Sequence, residues 1–471
     1  MFALASPPTN AYVALWLGMA ALSWMLAATP DLTSAARNAS HAPRALRLRR
    51  AFDGSVRGLA FGFGANVVAL RFVPDVIARF TPLPWAAGLV ALALLALFEG
   101  LRWMIAAMVQ LADLVGERGV TLLMALTAGL VASAARALMS RLASRTTRVR
   151  GAIALAMAIA IPLLMFAHGT RRMREIEALR AAAPSAKVVL VQPSIAASER
   201  WDAARAASIL AKLVELTKSA ERKGAELTVW PEAAYPYPLP HANRRAPIGE
   251  LAILPYGVRG PVLTGVVLSE GRAASYNSAF IATADGALTE PQDKQHLLWF
   301  GETVPFADRS AWLRRTFARG IGLVPGDRTV VQTVGRVRAG ILNCFEDTLP
   351  DAGREVATAS PNLLVNVTND AWFAGSGESE LHLRLAALRA VELRRDLVRS
   401  VNFGPTSWID ASGRVRARYA SDIPGTLLTE PVLLDLPATV YARFGDAPVL
   451  GALVALSLAA AALAKRRSSA A

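Results

Sequence analysis

The chain has 471 residues, 54% of them hydrophobic, with a formal net charge of +15 and a mean hydropathy of +0.35. It is more apolar than a soluble chain, and the excess sits in blocks, which indicates a membrane protein. The arginines cluster in short runs beside those blocks, as cytoplasmic anchors do, so the basic balance is not read as a nucleic-acid surface and no nucleic-acid partner is expected. The single cysteine, Cys344, excludes an internal disulfide, and the five histidines show no metal-ligand spacing with it. No metal and no cofactor are expected.

Residues 11–29 carry no charge and are long enough to cross a bilayer, which takes about 20 apolar residues. No basic segment precedes them and other apolar blocks follow, so they are not a simple signal peptide. The polar stretch 31–53 contains R-A-L-R-L-R-R and reads as a cytoplasmic loop. Residues 58–73 are a weaker, Gly-rich span interrupted by Arg71, and residues 84–112 exceed one crossing and are broken by Glu99 and Arg102. Residues 120–138 are the next span, followed by a second basic loop at 140–150. Residues 151–167 then lead through R-R-M-R-E into a polar linker, and 448–463 form the last span before K-R-R.

Two basic loops on the same side require an even number of crossings between them, and three blocks lie there. Two short or re-entrant passes within 84–112 restore the parity, placing residues 187–447 outside and the basic tail inside. The basic cluster at 171–174 is the exception to that bias. The expected organisation is a transmembrane helical domain at 1–170, a linker at 171–186, a catalytic domain at 187–447, and a last helix with a cytoplasmic tail at 448–471.

From Lys187 the texture changes. K-V-V-L-V-Q-P-S-I reads as a buried strand and residues 203–222 as an amphipathic helix. Strands follow in E-L-T-V-W-P-E, P-V-L-T-G-V-V-L, S-Y-N-S-A-F-I-A-T-A-D-G and V-R-A-G-I-L-N-C. Residues 362–368 are again a strand, 378–395 a helix and 397–410 a strand. Strands alternating with helices make an α/β domain.

Cys344 ends one of these strands and is followed by Phe-Glu-Asp. A lone cysteine is ordinarily a small buried residue, and a useful nucleophile needs a neighbouring base or cation to ionise. Glu232, flanked by Trp230, Pro231 and two alanines, loses solvation there; burial raises its pKa toward the range of a general base. Lys294, in a chain whose cations are mostly arginine, is either a surface lysine or an ammonium held to stabilise an oxyanion.

The order Glu, Lys, Cys is that of the nitrilase superfamily. W-P-E, D-K-x-H-L-x-x-F-G-E-x-V-P-F, C-x-E-x-x-x-P-D and N-D-A-W-F resemble, from about Val188 to Ala447, the apolipoprotein N-acyltransferase family. The resemblance implies an α-β-β-α nitrilase-like sandwich carried on a multi-pass α-helical membrane domain. It assigns Glu232 as general base, Lys294 to the oxyanion and Cys344 as nucleophile. Glu302 and Glu346 become supporting carboxylates, and Trp201, Trp372, Phe373 and Phe345 substrate-handling positions. For the tryptophans a core or interfacial aromatic remains the competing reading. Phe345 departs from the tyrosine usual after the nucleophile, so any hydrogen bond from that hydroxyl is lost. The opening M-F-A-L-A-S-P-P resembles the end of the family's first helix, which is then absent or encoded upstream of Met1.

The implied reaction is ping-pong acyl transfer through a Cys344 thioester. A membrane phospholipid is the acyl donor, and the α-amine of an apolipoprotein's diacylglyceryl-cysteine is the acceptor. The implied setting is the bacterial inner membrane, with the catalytic domain facing the periplasm. The alternatives are a membrane-tethered amidase, since the same three residues serve water as readily as an amine, and an inactive homologue that binds lipoproteins as a scaffold.

Overall fold

The structure, a computed structural model, describes residues 106–139, 144–271, 274–299, 301–304, 306, 309–312, 322–373, 378–419, 422–455 and 458. The spans expected at 11–29, 58–73 and most of 84–112 lie outside the described residues.

Two described helices are long and apolar enough to cross a membrane. The first, α1 (Ala112–Met139), is kinked at Gly116; the second, α2 (Arg145–Ala182), takes in half of the expected basic loop and the polar stretch expected as a linker. The chain divides into two compact units, and the boundary falls inside both helices: Thr121–Thr170 belongs to the first unit, while Gln110–Val120 clusters with Arg171–Ala471 in the second. In the first unit Gly151 packs on Ala137, and a Cβ there would fall 2.7 Å from the Ala137 Cβ. Ile153, Ile159, Leu163 and Leu164 are more than half exposed, as on a helix whose outward face meets lipid.

Among its described residues the second unit carries thirteen strands: β1 (Val188–Gln192), β2 (Leu227–Val229), β3 (Leu239–Pro240), β4 (Val262–Glu270), β5 (Ala274–Ala282), β6 (Gln292–Asp293), β7 (Gln332–Val334), β8 (Val337–Asn343), β9 (Leu363–Thr368), β10 (Leu397–Val401), β11 (Ser407–Ile409), β12 (Val415–Arg418) and β13 (Gly425–Thr429). Its longer helices after α2 are α3 (Ala206–Arg222), α4 (Pro350–Thr358) and α5 (Glu378–Leu393). One sheet runs β13-β1-β2-β4-β5-β6 with β3 on β4, the other β12-β11-β10-β9-β8-β7.

The alternation of side chains along each strand builds the layers. Val188 and Leu190 join Leu227, Val229, Leu263 and Ile281 of the first sheet to Ala339, Ile341, Val365 and Val398 of the second in one dry core. Val191 faces the other way, toward Ile209, Leu210 and Leu213 of α3. On the far side Leu342, Leu364 and Leu397 pack against Val356 of α4 and Leu383, Ala386 and Ala390 of α5. The order helix, sheet, sheet, helix is the sandwich expected of a nitrilase-like domain.

The expected strand over 397–410 is two strands, β10 and β11, paired antiparallel. N-F-G-P breaks it: Pro405 has no N–H to donate, and the Asn402 side chain bonds Ile195 and Asn369 instead.

Gln110–Val120 is held in the second unit by buried charge. Asp113 accepts from Arg394 at 2.9 Å and Arg172 at 2.7 Å, and Arg394 also donates to the Gln110 carbonyl at 2.8 Å. Arg389 pairs with Glu117 at 2.8 Å and Glu392 at 2.9 Å. Gly116 (φ 68°) lies on the Tyr441 ring so closely that a Cβ would fall 2.3 Å from Cε2.

Candidate active site

The candidate residues meet at the carboxyl ends of parallel strands. β2 runs parallel to β1 and β4, and β9 to β8 and β10. Glu232 lies three residues past β2, Cys344 immediately after β8 and Asp370 two residues past β9. Lys294 follows β6 directly, pinned by its N–H to the Asn277 carbonyl (2.8 Å) and by its carbonyl to the Gly326 N–H (2.9 Å).

Lys294 is 1% exposed. Its Nζ lies 2.8 Å from Glu302 Oε1 and 3.3 Å from Glu232 Oε1. Burial opposes its charge, but the Glu232 and Glu302 carboxylates outweigh burial and raise its pKa, so it stays an ammonium. Two of its three protons point at carboxylates, which leaves one for a further acceptor. Asn277 on β5 donates to both carboxylates, at 2.7 Å to Glu232 and 3.1 Å to Glu302, fixing their spacing.

Glu232 and Cys344 stand side by side. Burial, with the Glu302 charge, pushes the Glu232 pKa up against the pull of Lys294, and the Cys344 thiol lies within hydrogen-bonding range of its carboxylate. The thiol itself is pushed well above its ordinary pKa by burial and the Glu232 charge, with Lys294 and a hydrogen bond to Thr368 opposing. At rest the proton is therefore on sulfur, with the Glu232 carboxylate beside it. Cys344 is half-buried and holds φ at 53°, a left-handed conformation rare for a side chain with a Cβ. Such strain at a strand end marks functional turns.

Glu346 is no part of the reacting group. Its Oε1 accepts from the Gln295 and His296 N–H groups, at 2.8 and 2.9 Å, and its Oε2 from the Asn343 N–H at 2.8 Å. It ties the segment after Lys294 to the strand end before Cys344. The Phe345 ring lies 5.1 Å from Lys294 Nζ, within cation–π range. Phe345 also lines an open cavity of about 550 Å³ with Leu297, Leu298, Trp299, Pro325 and Leu349.

Trp201 is 60% exposed, with the Arg200 guanidinium 4.7 Å over its ring; Trp372 and Phe373 lie in the Asp370–Phe373 turn, Phe373 exposed. Sequence reasoning missed Asn277 and the buried Arg200, whose pKa burial lowers to about 10 against the pull of Glu232. It also missed Asp347, Asp370, His382 and Arg399, buried and joined by hydrogen bonds to one another. Two quoted stretches contain members of this set, N-D-A-W-F with Asp370 and the Phe-Glu-Asp after Cys344 with Asp347. Among the described residues no group of histidine, cysteine or carboxylate side chains is arranged to hold a metal.

The carbon-nitrogen hydrolase family profile matches residues 187–433. A protein of Geobacter metallireducens named apolipoprotein N-acyltransferase is 33% identical over 367 residues, 77% of this chain and 68% of that protein. The chain belongs to the apolipoprotein N-acyltransferase family of carbon-nitrogen hydrolases. A member of that family from Bradyrhizobium diazoefficiens is 33% identical over 378 residues, 76% of this chain and 67% of that one. An amidase of Nesterenkonia sp. is similar in structure, with a TM-score of 0.42 and 17% identity over 57% of this chain and 97% of that one. The family resemblance carried by W-P-E, F-G-E-x-V-P-F and N-D-A-W-F is thereby borne out. In this apolipoprotein N-acyltransferase family member Glu232, Lys294 and Cys344 stand together in one cluster.

Proposed function

We propose that the chain transfers an acyl chain from a membrane phospholipid to the α-amine of an apolipoprotein's N-terminal diacylglyceryl-cysteine. The reading rests on one observation above all. A chain one-third identical to apolipoprotein N-acyltransferases brings Glu232, Lys294 and Cys344 together from strand ends in both sheets.

In the first half-reaction the Cys344 sulfur attacks the ester carbonyl while Glu232 takes the thiol proton. The third N–H of Lys294 meets the oxyanion as it forms. Collapse of the tetrahedral intermediate breaks the ester C–O bond, Glu232 returns the proton to the departing alkoxide, and a lysophospholipid leaves a thioester on Cys344. In the second half the amine attacks that carbonyl and Glu232 takes the ammonium proton as the C–N bond forms. Breakage of the C–S bond then restores the thiol, which recovers the proton from Glu232. One ester and one amine become one amide and one alcohol.

The apolar wall of Leu297, Leu298, Trp299 and Leu349 beside Phe345 suits an acyl chain, and both substrates are anchored in a bilayer. A catalytic domain carried on membrane-spanning helices meets them without extracting them into water. We place it on the periplasmic face of a bacterial inner membrane, the side given by the parity of the basic loops. In this reading residues 1–170 form the membrane domain, apart from the Gln110–Val120 segment held by the catalytic unit, and 448–463 form the last span.

The test is turnover with a diacylated lipopeptide in phospholipid micelles. N-acylated product that depends on phospholipid and disappears with Cys344→Ala supports the reading; release of free fatty acid or ammonia in place of product contradicts it.

A further inference from the structure

Beside the turn that carries the nucleophile lies a buried set of four charges that the acyl-transfer steps do not use. His382, on α5 and 3% exposed, sits between two carboxylates: Nε2 is 2.7 Å from Asp347 Oδ1, and Nδ1 is 3.1 Å from Asp370 Oδ1. Each ring nitrogen faces a carboxylate oxygen, and a carboxylate only accepts, so both nitrogens carry protons and the ring is an imidazolium. Asp347 belongs to the turn Cys344–Thr348 and Asp370 to the turn Asp370–Phe373. Arg399, on β10, donates from Nε to Asp347 Oδ2 at 3.0 Å and to Asn366 Oδ1 at 3.3 Å. Asn366 donates in turn to the Cys344 carbonyl at 2.9 Å.

The cluster reaches the sulfur through Thr368. Its hydroxyl donates to Asp370 Oδ1 at 3.3 Å and neighbours the Cys344 sulfur, where the Asp370 charge opposes ionisation of the thiol. The charged groups facing Cys344 are Glu232 from the loop after β2, Lys294 after β6 and Asp370 after β9. Those facing His382 are Asp347, Asp370 and Arg399. With His382 charged, two carboxylates stand against two cations and the cluster is neutral. Without that charge a net negative cluster lies beside the nucleophile's turn.

We propose that His382 is a positioning residue for the nucleophile: it clamps the Cys344–Thr348 turn to the Asp370–Phe373 turn and cancels the Asp370 charge, so that sulfur becomes anionic beside a neutral cluster. The proposal deepens the reading of Cys344 as nucleophile and rests on it. His382 touches no reacting atom and acts only through the two turns and the field they make.

The single cysteine gives a direct readout. Alkylation of the detergent-solubilised full chain by iodoacetamide, followed by intact mass across pH, reports Cys344 alone and needs neither phospholipid nor lipopeptide. His382→Gln is expected to slow alkylation about tenfold at pH 7.5, the effect of about one pKa unit, and to move the rate profile to higher pH. Adding Asp370→Asn removes the uncompensated charge and is expected to restore the rate to within about threefold, which a purely structural loss would not permit. Asp370→Asn alone, with Asp347 still holding the imidazolium, is expected to move the profile to lower pH.

An unchanged profile in His382→Gln, or a double variant as slow as the single one, overturns the proposal. If His382→Gln does not fold, Asp370→Asn decides it: a profile that stays in place or moves to higher pH overturns the proposal. The expected shifts of the alkylation profile together with an absence of acyl transfer would count against the proposed reaction and leave the clamp standing.

Discussion

Gly265 lies directly beneath Glu232: a Cβ at position 265 would fall 2.7 Å from the Glu232 Cα. The same Cβ would fall 2.5 Å from the Ala233 nitrogen and 2.6 Å from the Pro231 carbonyl oxygen. The loop carrying the proposed base therefore rests on a bare stretch of β4, tied there by the Gly265 N–H to the Pro231 carbonyl at 3.2 Å. Gly265→Ala must lift that loop. Overpacking of this kind costs about 1–3 kcal/mol, and a shift of about 1 Å at a reacting group costs about 100-fold in rate. The expected outcome is a folded protein that forms the Cys344 thioester at least tenfold more slowly in single-turnover experiments. A wild-type rate would show that the Glu232 position is not critical.

Lys294 supplies a sharper case, because it compensates two carboxylates at once. Lys294→Met leaves Glu232 and Glu302 facing each other without their cation. Removing one partner of a buried ion pair costs about 3–5 kcal/mol. The thermal midpoint is expected to fall together with loss of thioester formation. Adding Glu302→Gln to Lys294→Met is expected to recover part of the midpoint and none of the activity. Full loss of stability in both variants would mean that charge is not what Lys294 contributes.

Asp113 tests the docking of Gln110–Val120. It accepts from two arginines, and Asp113→Ala leaves Arg394, itself 1% exposed, without its carboxylate. The expected loss is again about 3–5 kcal/mol, read as a lower thermal midpoint of the catalytic unit. The alkylation rate of Cys344 at low temperature should stay within about threefold of wild type. A wild-type midpoint would contradict the picture of a segment held by buried charge.

The pH dependence of stability follows from His382. Burial and Arg399 oppose its charge, but Asp347 and Asp370 prevail and raise its pKa from 6.5 to about 10. A cation whose folded pKa is raised adds stability that is fully present below the unfolded pKa and lost as pH rises through the folded one. The midpoint difference between wild type and His382→Gln should therefore be largest below about pH 6.5 and shrink toward pH 10. A difference that grows with pH would contradict the imidazolium.

The three proposed catalytic residues are legible because each stands in a short contiguous motif at a strand end, and strand ends are readable from apolar runs. Asn277 is not. Nothing in S-Y-N-S marks it, and its partner Glu232 is 45 residues away. His382 is hidden for the same reason, in E-L-H-L-R, with Asp347 35 residues distant. Glu346 is legible as a carboxylate near the nucleophile, but its work of accepting three backbone N–H groups follows from the loop after Lys294 coming back to β8, which no local pattern shows. Hydropathy correctly finds the apolar length of α1. It does not show that the first turns belong with the catalytic unit, because that depends on Arg394, 281 residues away.

The central claim is the covalent intermediate, and intact-mass analysis of the detergent-purified chain after incubation with phospholipid tests it most directly. The account predicts an acyl-sized, hydroxylamine-labile gain on the wild-type protein, absent from Cys344→Ala and discharged by a diacylated lipopeptide. No gain on a folded protein with phospholipid present, or a gain that Cys344→Ala retains, would contradict it.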